Sequence, residues 1–253
     1  MKLYDTHCHF ERAAPPEIRA ILERARAAGV EKLLAVGGSC ALNESAVLAD
    51  QVAAEALIAP KVGVAVGYDR DQAAKVSLSP FVPPSASCAP VAVGEIGLDY
   101  HYSPETRDRQ LKLFAAQLDD ARARDLPVVI HSREADADTL ALLREIPSRG
   151  IIHCYTGTPE DARRYLDLGF YISISGIVTF RPAENVRVVA RLIPDDRILI
   201  ETDAPFLAPV PLRGTPNEPA FIKYTCEFLA QLRGVPADEF AERTFANAEG
   251  ILG

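Results

Sequence analysis

The sequence has no excess of positive charge. Its 253 residues include 27 lysines and arginines against 35 aspartates and glutamates, which gives a net charge of −8. This balance argues against a protein that coats nucleic acid by charge alone. It does not exclude a nuclease, because bound divalent cations reverse the local potential and a few arginines can hold phosphates in a cleft.

The sequence also lacks a basic leader, a long apolar stretch and any Cys-x-x-Cys spacing. Because Met1 leads directly into an apolar strand, we expect neither a signal peptide nor a membrane-spanning helix. The five cysteines are an odd number, and reduced thiols are their simplest account. These absences predict a cytoplasmic protein that contacts no membrane, and we expect no obligate protein partner.

The length leaves the number of domains open. Hydrophobic residues make up 48% of the chain and charged residues 25%, which is ordinary for a globular protein with a sizeable core. Length alone favours two domains, but a single α/β barrel commonly takes about 250 residues. The order of the predicted elements must therefore decide.

Eight short apolar runs alternate with helical segments along the chain. The runs cover residues 2–4, 32–36, 61–67, 91–97, 126–130, 150–152, 170–175 and 197–200. Spacing and composition predict helices at 15–28, 43–57, 71–78, 135–145, 158–169, 185–192, 219–233 and 236–252, and the proline-rich stretch 79–85 predicts a loop. A further helix is capped by Ser103 and buries Leu111, Phe114 and Leu118. This alternation predicts a single-domain (β/α)8 TIM barrel over residues 1–253.

Two histidines follow the first apolar run, in the segment Asp5-Thr6-His7-Cys8-His9. Side chains two residues apart in a strand point to the same face, so His7 and His9 can converge on one cation while Cys8 points away. Neutral imidazole is a common transition-metal ligand. For this pair alone, two solvated histidines are the plain alternative.

Further candidate ligands follow later strands of the predicted barrel. They are Glu95, His131, His153 and Asp203, after strands four, five, six and eight. The carboxyl ends of barrel strands form the catalytic face. Taken singly, Glu95 is also suited to capping a helix and His131 to a core position. Together, four histidines and two carboxylates are too many for one tetrahedral zinc, and they suit two divalent ions that share a bridging carboxylate.

Six ordered motifs extend this pattern over almost the whole chain. They are DTHCH at 5–9, GEIGLD at 94–99, HSR at 131–133, HCYTG at 153–157, ETDAP at 201–205 and RGTPNEP at 213–219. With them the chain resembles the TatD family of metal-dependent deoxyribonucleases. The resemblance implies that one metal is held by His7, His9, Glu95 and Asp203, and a second by Glu95, His131 and His153, with Glu95 as the bridge.

One loop departs from the family pattern. After the third strand the family usually carries a glycine and then a His-Pro pair, whereas this chain has Gly67-Tyr68-Asp69-Arg70. The departure leaves the metal ligands untouched and bears on substrate preference. We interpret Arg70 as a solvated loop charge, with a phosphate contact as the alternative.

The leading hypothesis for function is metal-dependent hydrolysis of DNA phosphodiester bonds, exonucleolytic and acting on single-stranded or end-bound DNA. Two divalent ions, magnesium, manganese or zinc, would activate a water and neutralise charge on the phosphate. Asp203 is the candidate base. Arg133 and Arg213 are candidates for holding substrate phosphates, with rim salt bridges as the alternative. Glu201 would orient a ligand and Asn217 would brace the last loop.

Two other classes of function stay open. Related barrels hydrolyse amides, lactones or phosphotriesters, and many bridge their metals with a carboxylated lysine after the fourth strand. Glu95 stands there in this chain, and Lys2, Lys32 and Lys61 lie at strand beginnings. Small-molecule esters, amides, phosphoesters and tRNA-linked esters are therefore alternative substrates. A non-enzymatic degenerate barrel would lack ligands, and none is missing here.

Overall fold

Eight parallel strands form one sheet in which each strand pairs with the next along the chain. The computed structural model describes residues 1–11, 13–56, 59–78 and 88–253. The strands are β1 Leu3–Cys8, β2 Val30–Gly38, β3 Lys61–Tyr68, β4 Ala92–Asp99, β5 Val128–Arg133, β6 Gly150–Ile152, β7 Tyr171–Ile174 and β8 Ile198–Ile200. The chain segment after β8 closes the ring on β1, since Asp203 N donates to His7 O at 2.9 Å and His9 N donates to Ala204 O at 2.7 Å. The (β/α)8 prediction is confirmed.

Eight α-helices surround the strands in the part of the chain that the structure describes. They are α1 Pro15–Ala27, α2 Cys40–Glu55, α3 Arg107–Ala123, α4 Asp136–Glu145, α5 Pro159–Asp167, α6 Glu184–Leu192, α7 Ile222–Arg233 and α8 Ala237–Leu252. The apolar side chains between helices and strands form the larger core, and many of them come from positions of the strands that face outward. No helix among the described residues is both long enough and apolar enough to cross a bilayer.

Two helix predictions differ from the structure. The helix predicted at 71–78 is absent, and a single 3-10 turn at Arg70–Gln72 stands in its place. That segment has too few apolar residues to bury a helical face against the barrel. Ser103 makes no capping bond; Pro104–Thr106 is a 3-10 turn and α3 begins at Arg107. The predicted loop 79–85 lies outside the described residues.

The amino end of the barrel is filled with apolar side chains. Tyr4, Leu34, Val129 and Leu199 project into the interior from four strands and are buried. Phe245 of α8 packs against Tyr4 with 5.7 Å between ring centroids. The last helix therefore closes this end, and polar interior positions are left to the carboxyl end.

Candidate metal centre

On two strands, the alternation of inward and outward side chains is shifted by a register irregularity just where the candidate ligands begin. On β4, Val93 and Ile96 both pack in the larger core between the strands and the helices, although they are three residues apart. The pairing register with β5 shifts between them. An irregularity of this kind acts as a β-bulge, which re-aims side chains and is common beside active sites. Glu95 thereby points into the barrel instead of toward the helices.

The first strand has the same device. Leu3 and Cys8 both belong to the larger core, and the register with β2 shifts between Asp5 and Cys8. His7 and His9 consequently point into the barrel, with 3.1 Å between their Nε2 atoms. Cys8 is buried on the opposite side, as the alternation within Asp5-Thr6-His7-Cys8-His9 predicts.

Glu95 lies between two pairs of histidines. Its Oε2 is 3.8 Å from His7 Nε2 and 3.7 Å from His9 Nε2. Its Oε1 is 3.1 Å from His131 Nδ1 and 3.1 Å from His153 Nε2. The two oxygens of one carboxylate thus face two different sets of nitrogens, which is the arrangement that a bridging ligand requires. Within its strand Glu95 is further from the end than predicted, because β4 continues to Asp99.

Asp203 completes the half of the site that contains His7 and His9. Its Oδ1 is 3.9 Å from His7 Nε2 and 3.8 Å from His9 Nε2. The φ angle of Asp203 is 57°, in the left-handed region that non-glycine residues seldom occupy. Such a conformation costs on the order of 1–3 kcal/mol and persists only where the surroundings impose it.

A buried network imposes that conformation from the first strand. The side chain of Asp5 accepts hydrogen bonds from Thr202 N at 2.9 Å and Thr202 Oγ1 at 2.6 Å. Burial raises the pKa of Asp5 to about 7, because the charged carboxylate loses its hydration. In the loop that follows β8, Asn217 Nδ2 donates to Thr202 O at 2.9 Å and to Phe206 O at 2.6 Å. The prediction that Asn217 braces this loop is confirmed.

Three histidines are oriented by acceptors behind them. His9 Nδ1 donates to Val36 O at 2.8 Å, and His131 Nε2 lies 3.0 Å from Asp99 Oδ2. His153 Nδ1 lies 3.4 Å from Glu201 Oε1, which is the orienting contact expected of Glu201. With a metal bound, an acceptor on the outer nitrogen would keep the proton there and leave the lone pair of the inner nitrogen for the ion.

This donor set fits divalent cations. Inner nitrogens lie 3.1 Å apart in the His7 and His9 pair and 3.4 Å apart in the His131 and His153 pair, and both pairs face the Glu95 carboxylate. Imidazole nitrogens and carboxylate oxygens that converge on one point are the ligands that zinc and other transition-metal ions take in proteins. Ligand atoms fall into three overlapping groups, each within 4.8 Å: His7, His9 and Glu95; His7, His153 and Asp203; and Glu95, His131 and His153.

Burial changes the ionisation of several groups in the site. Burial lowers the pKa of His7, which keeps its imidazole neutral. Burial opposes ionisation of Glu95, but His153 and His131 outweigh it and hold the pKa of the carboxyl well below its usual range. Burial raises the pKa of Asp203. Buried carboxylates gathered without a counter-charge are unfavourable, so bound cations would stabilise this cluster.

A cavity of about 1060 Å³ opens above the cluster. Arg133 is among its lining residues, and its guanidinium lies 4.6 Å from the ring centroid of Tyr102. Arg213 is not among them; its guanidinium lies over Phe180, 3.7 Å from the ring centroid. Among the described residues neither guanidinium forms an ion pair, so the rim salt bridges weighed as the alternative are absent there.

Arg70 lies in the cavity, and its interpretation as a solvated loop charge is wrong. Its side chain is only 25% exposed and contacts Asp69. Nη1 lies 3.6 Å from Glu95 Oε1, and Nε lies 3.7 Å from Asp99 Oδ2. The capping turn after β3 directs the side chain toward these acids, and charge attraction outweighs hydration.

Sequence reasoning also missed Asp99. This aspartate is fully buried, and its Oδ1 accepts from the backbone of His101 at 2.9 Å and Tyr102 at 2.8 Å while Oδ2 faces His131. One signal was available, since Asp99 follows Glu95 by four residues on one strand and an even spacing puts two side chains on the same face.

Known proteins are similar to this chain in sequence and in fold. The family model "TatD related DNase" matches residues 4–253. The uncharacterized metal-dependent hydrolase YcfH of Escherichia coli K12 is 40% identical over 258 residues, covering 98% of this chain and 94% of its own. YabD of Bacillus subtilis 168, also described as an uncharacterized metal-dependent hydrolase, is 36% identical over 257 residues, covering 99% and 98%. The crystal structure of YjjV, a TatD homologue from E. coli K12, has a TM-score of 0.85 at 29% identity and covers 99% of this chain and 97% of its own.

Proposed function

This chain belongs to the TatD-related DNase family of metal-dependent hydrolases, and from that premise we propose that it cleaves phosphodiester bonds of DNA with two divalent metal ions. The observation that carries the proposal is the position of Glu95, whose two carboxylate oxygens face two separate histidine pairs. Two-metal sites of this kind act on phosphate esters by in-line displacement. We further propose that cleavage proceeds from the ends of single-stranded or end-bound DNA.

In this proposal each metal has its own ligand set. His7, His9, Glu95 and Asp203 would hold one ion, and Glu95, His131 and His153 would hold the other. When bound, the pair supplies Lewis-acid activation of water and neutralises charge that develops on the phosphate. Imidazole and carboxylate ligands together suit zinc, manganese or magnesium.

Asp203 is the proposed base. Its Oδ1 faces the His7 and His9 nitrogens, so its second oxygen is available to receive a proton from the attacking water. The left-handed backbone of Asp203 and the hydrogen bond from Asp203 N to His7 O hold the carboxylate in place.

The cavity offers different surfaces for the two parts of a nucleotide. Arg133 supplies paired donors for a phosphate, and Arg213 is proposed to contact phosphates further along the strand. Phe206 is 53% exposed and lines the cavity, so its ring is available for stacking with a base. Tyr102, 65% exposed, offers a second ring beside Arg133.

The test follows end-labelled single-stranded DNA incubated with chelator-treated protein, before and after magnesium or manganese is added back. We expect stepwise shortening only with metal. Asp203→Asn should lower turnover by about 10² to 10⁴-fold, because the shape is kept while the basicity is removed. Asp167→Asn, on the exposed end of α5, is the matched control and should cleave normally.

Two outcomes would contradict the proposal at different points. Near-normal turnover by Asp203→Asn with its metals bound would show that another group takes the proton. If fully metal-loaded wild-type protein leaves DNA intact, the substrate is wrong while the hydrolase centre stands.

A second candidate is hydrolysis of a small ester, amide or phosphoester, or of a tRNA-linked ester. The observation that favours it is the acidic lining of the cavity, where Glu11, Glu44 and Asp71 would repel a long polyanion. Against the lysine-bridged version, Lys32 pairs with Glu249 at 2.9 Å and Lys2 lies over Phe245, both at the amino end. Hydrolysis of small chromogenic esters without DNA cleavage would select this candidate.

A further inference from the structure

The turn after β3 places the positively charged side chain of Arg70 in the cavity, and backbone hydrogen bonds hold this turn in position. Asp69 N donates to Gly38 O at 2.7 Å, which joins the turn to the end of β2. Asp69 Oδ1 accepts from Arg70 N at 2.7 Å and so starts the 3-10 turn Arg70–Gln72. The direction in which the Arg70 side chain leaves the backbone is therefore fixed by two hydrogen bonds.

A buried glutamine anchors the same turn from the outside. Gln117 of α3 is 1% exposed; its Oε1 accepts from Tyr68 N at 2.7 Å, and its Nε2 donates to Tyr68 O at 2.8 Å. One amide thus satisfies both backbone groups of Tyr68, at the point where β3 ends. This contact holds the backbone in place directly before Asp69 and Arg70.

The guanidinium of Arg70 has donors left over for a ligand. It contacts Asp69, while the distances of 3.6 Å to Glu95 Oε1 and 3.7 Å to Asp99 Oδ2 exceed those of hydrogen bonds. Arginine carries five N–H donors in a planar fork. Cations bound by Glu95 would weaken its attraction for Arg70, and the free donors would then face an anion at the centre.

The order of the strands divides the cavity wall into two arcs. Arg70 follows β3 and Arg133 ends β5, and these two strands are separated only by β4. Ile177 and Phe206 follow β7 and β8 on the other side of the ring. The two arginines therefore lie on the arc over β3 to β5, beside Glu95, and the two apolar side chains lie on the arc over β7 and β8.

We propose that Arg70 binds the phosphate group of the substrate beside the metal centre and makes the site selective for phosphate esters. Its guanidinium donates to non-bridging phosphate oxygens, next to the half of the site formed by Glu95 and His131. The identity of the substrate rests on the proposed function, but the affinity for phosphate does not depend on turnover.

The experiment compares wild-type protein with Arg70→Ala and Arg70→Lys, all as full chains loaded with manganese. Binding of inorganic phosphate is measured by calorimetry, and bound metal by elemental analysis. Hydrolysis of bis(p-nitrophenyl) phosphate is compared with that of p-nitrophenyl acetate. Arg144→Ala, exposed on α4, is the matched control.

We expect Arg70→Ala to bind phosphate about tenfold to a hundredfold more weakly, with the metal content unchanged. KM for the phosphodiester should rise more than kcat falls, hydrolysis of the acetate ester should be unaffected, and Arg70→Lys should recover part of the loss because it keeps the charge. These changes support the proposal even if wild-type protein leaves DNA intact.

Wild-type phosphate affinity in metal-loaded Arg70→Ala would overturn the proposal. Loss of metal from that variant would overturn it in another way, since Arg70 would then act by holding Glu95 and Asp99. An equal loss with the acetate ester would also count against it, because no phosphate is present in that reaction.

Discussion

The two ends of this barrel fill equivalent interior positions with opposite kinds of side chain. At the amino end, Tyr4, Leu34 and Leu199 belong to one buried apolar cluster with Phe245. At the carboxyl end, the same strands and the residues just after them supply histidines and carboxylates beneath an open cavity. The apolar contacts that stabilise the barrel and the candidate metal ligands therefore lie at opposite ends of the barrel axis, as is general in TIM-barrel enzymes.

The largest effect should come from breaking the closed end. Phe245→Ala removes a buried ring from the contact with Tyr4, and we expect it to lower the free energy of unfolding by about 3–5 kcal/mol. Urea unfolding of the metal-free protein measures the loss. Phe206→Ala at the open end is the matched control and should cost less than about 0.5 kcal/mol, because its ring is exposed.

The metal content of the same variant provides a second measurement. Phe245→Ala should keep the metal content of wild-type protein under conditions where it is folded. If it lost metal while remaining folded, the two ends would be coupled and their separation would be disproved.

The next effect should appear at the open end. Glu201→Gln weakens the acceptor behind His153 without changing its shape, and we expect metal affinity to fall by about tenfold to a hundredfold. Competition with a chromogenic chelator measures the change, with Glu242→Gln on the exposed face of α8 as control. Unchanged affinity would mean that the backbone alone orients His153.

The smallest effect should come from the outer wall. Arg24 of α1 donates three hydrogen bonds to the Glu218 carboxylate, at 2.6 to 3.0 Å. The side chain of Arg24 is 53% exposed and that of Glu218 is 15% exposed. Exposed pairs of this kind contribute roughly 0–1 kcal/mol, so Arg24→Ala should shift the unfolding midpoint slightly and leave metal content and turnover unchanged. A loss of activity would show that α1 shapes the site through Glu218.

The sequence was sufficient to predict the barrel and the positions of the six candidate ligands, for a specific physical reason. The carboxyl ends of parallel strands meet at one face, so His7, His131 and Asp203 needed only strand assignments to be placed together. That these residues bind metal stays a prediction. Their inward direction on β1 and β4 depends on register shifts that arise between paired strands and leave no mark in a single sequence.

Arg70 shows what local patterns cannot supply. The direction of its side chain depends on Gly38 at the end of β2 and on Gln117 of α3, which comes much later in the chain. Neither contact is readable from the segment Gly67-Tyr68-Asp69-Arg70, which by itself resembles any polar turn. The helix predicted at 71–78 is absent for a different reason, because the segment has too few apolar residues to bury a helical face and forms only short local turns.

The closure of the ring also sets a time order. His7 O accepts from Asp203 N, and His9 N donates to Ala204 O, so the first and last strands meet at the candidate metal centre. Contacts between segments so far apart in the chain form slowly, because the entropy of closing the long intervening loop must be overcome. A chain that has not yet docked its eighth strand lacks Asp203 beside His7. Uptake of the ion that Asp203 is proposed to ligate would therefore report that folding is complete.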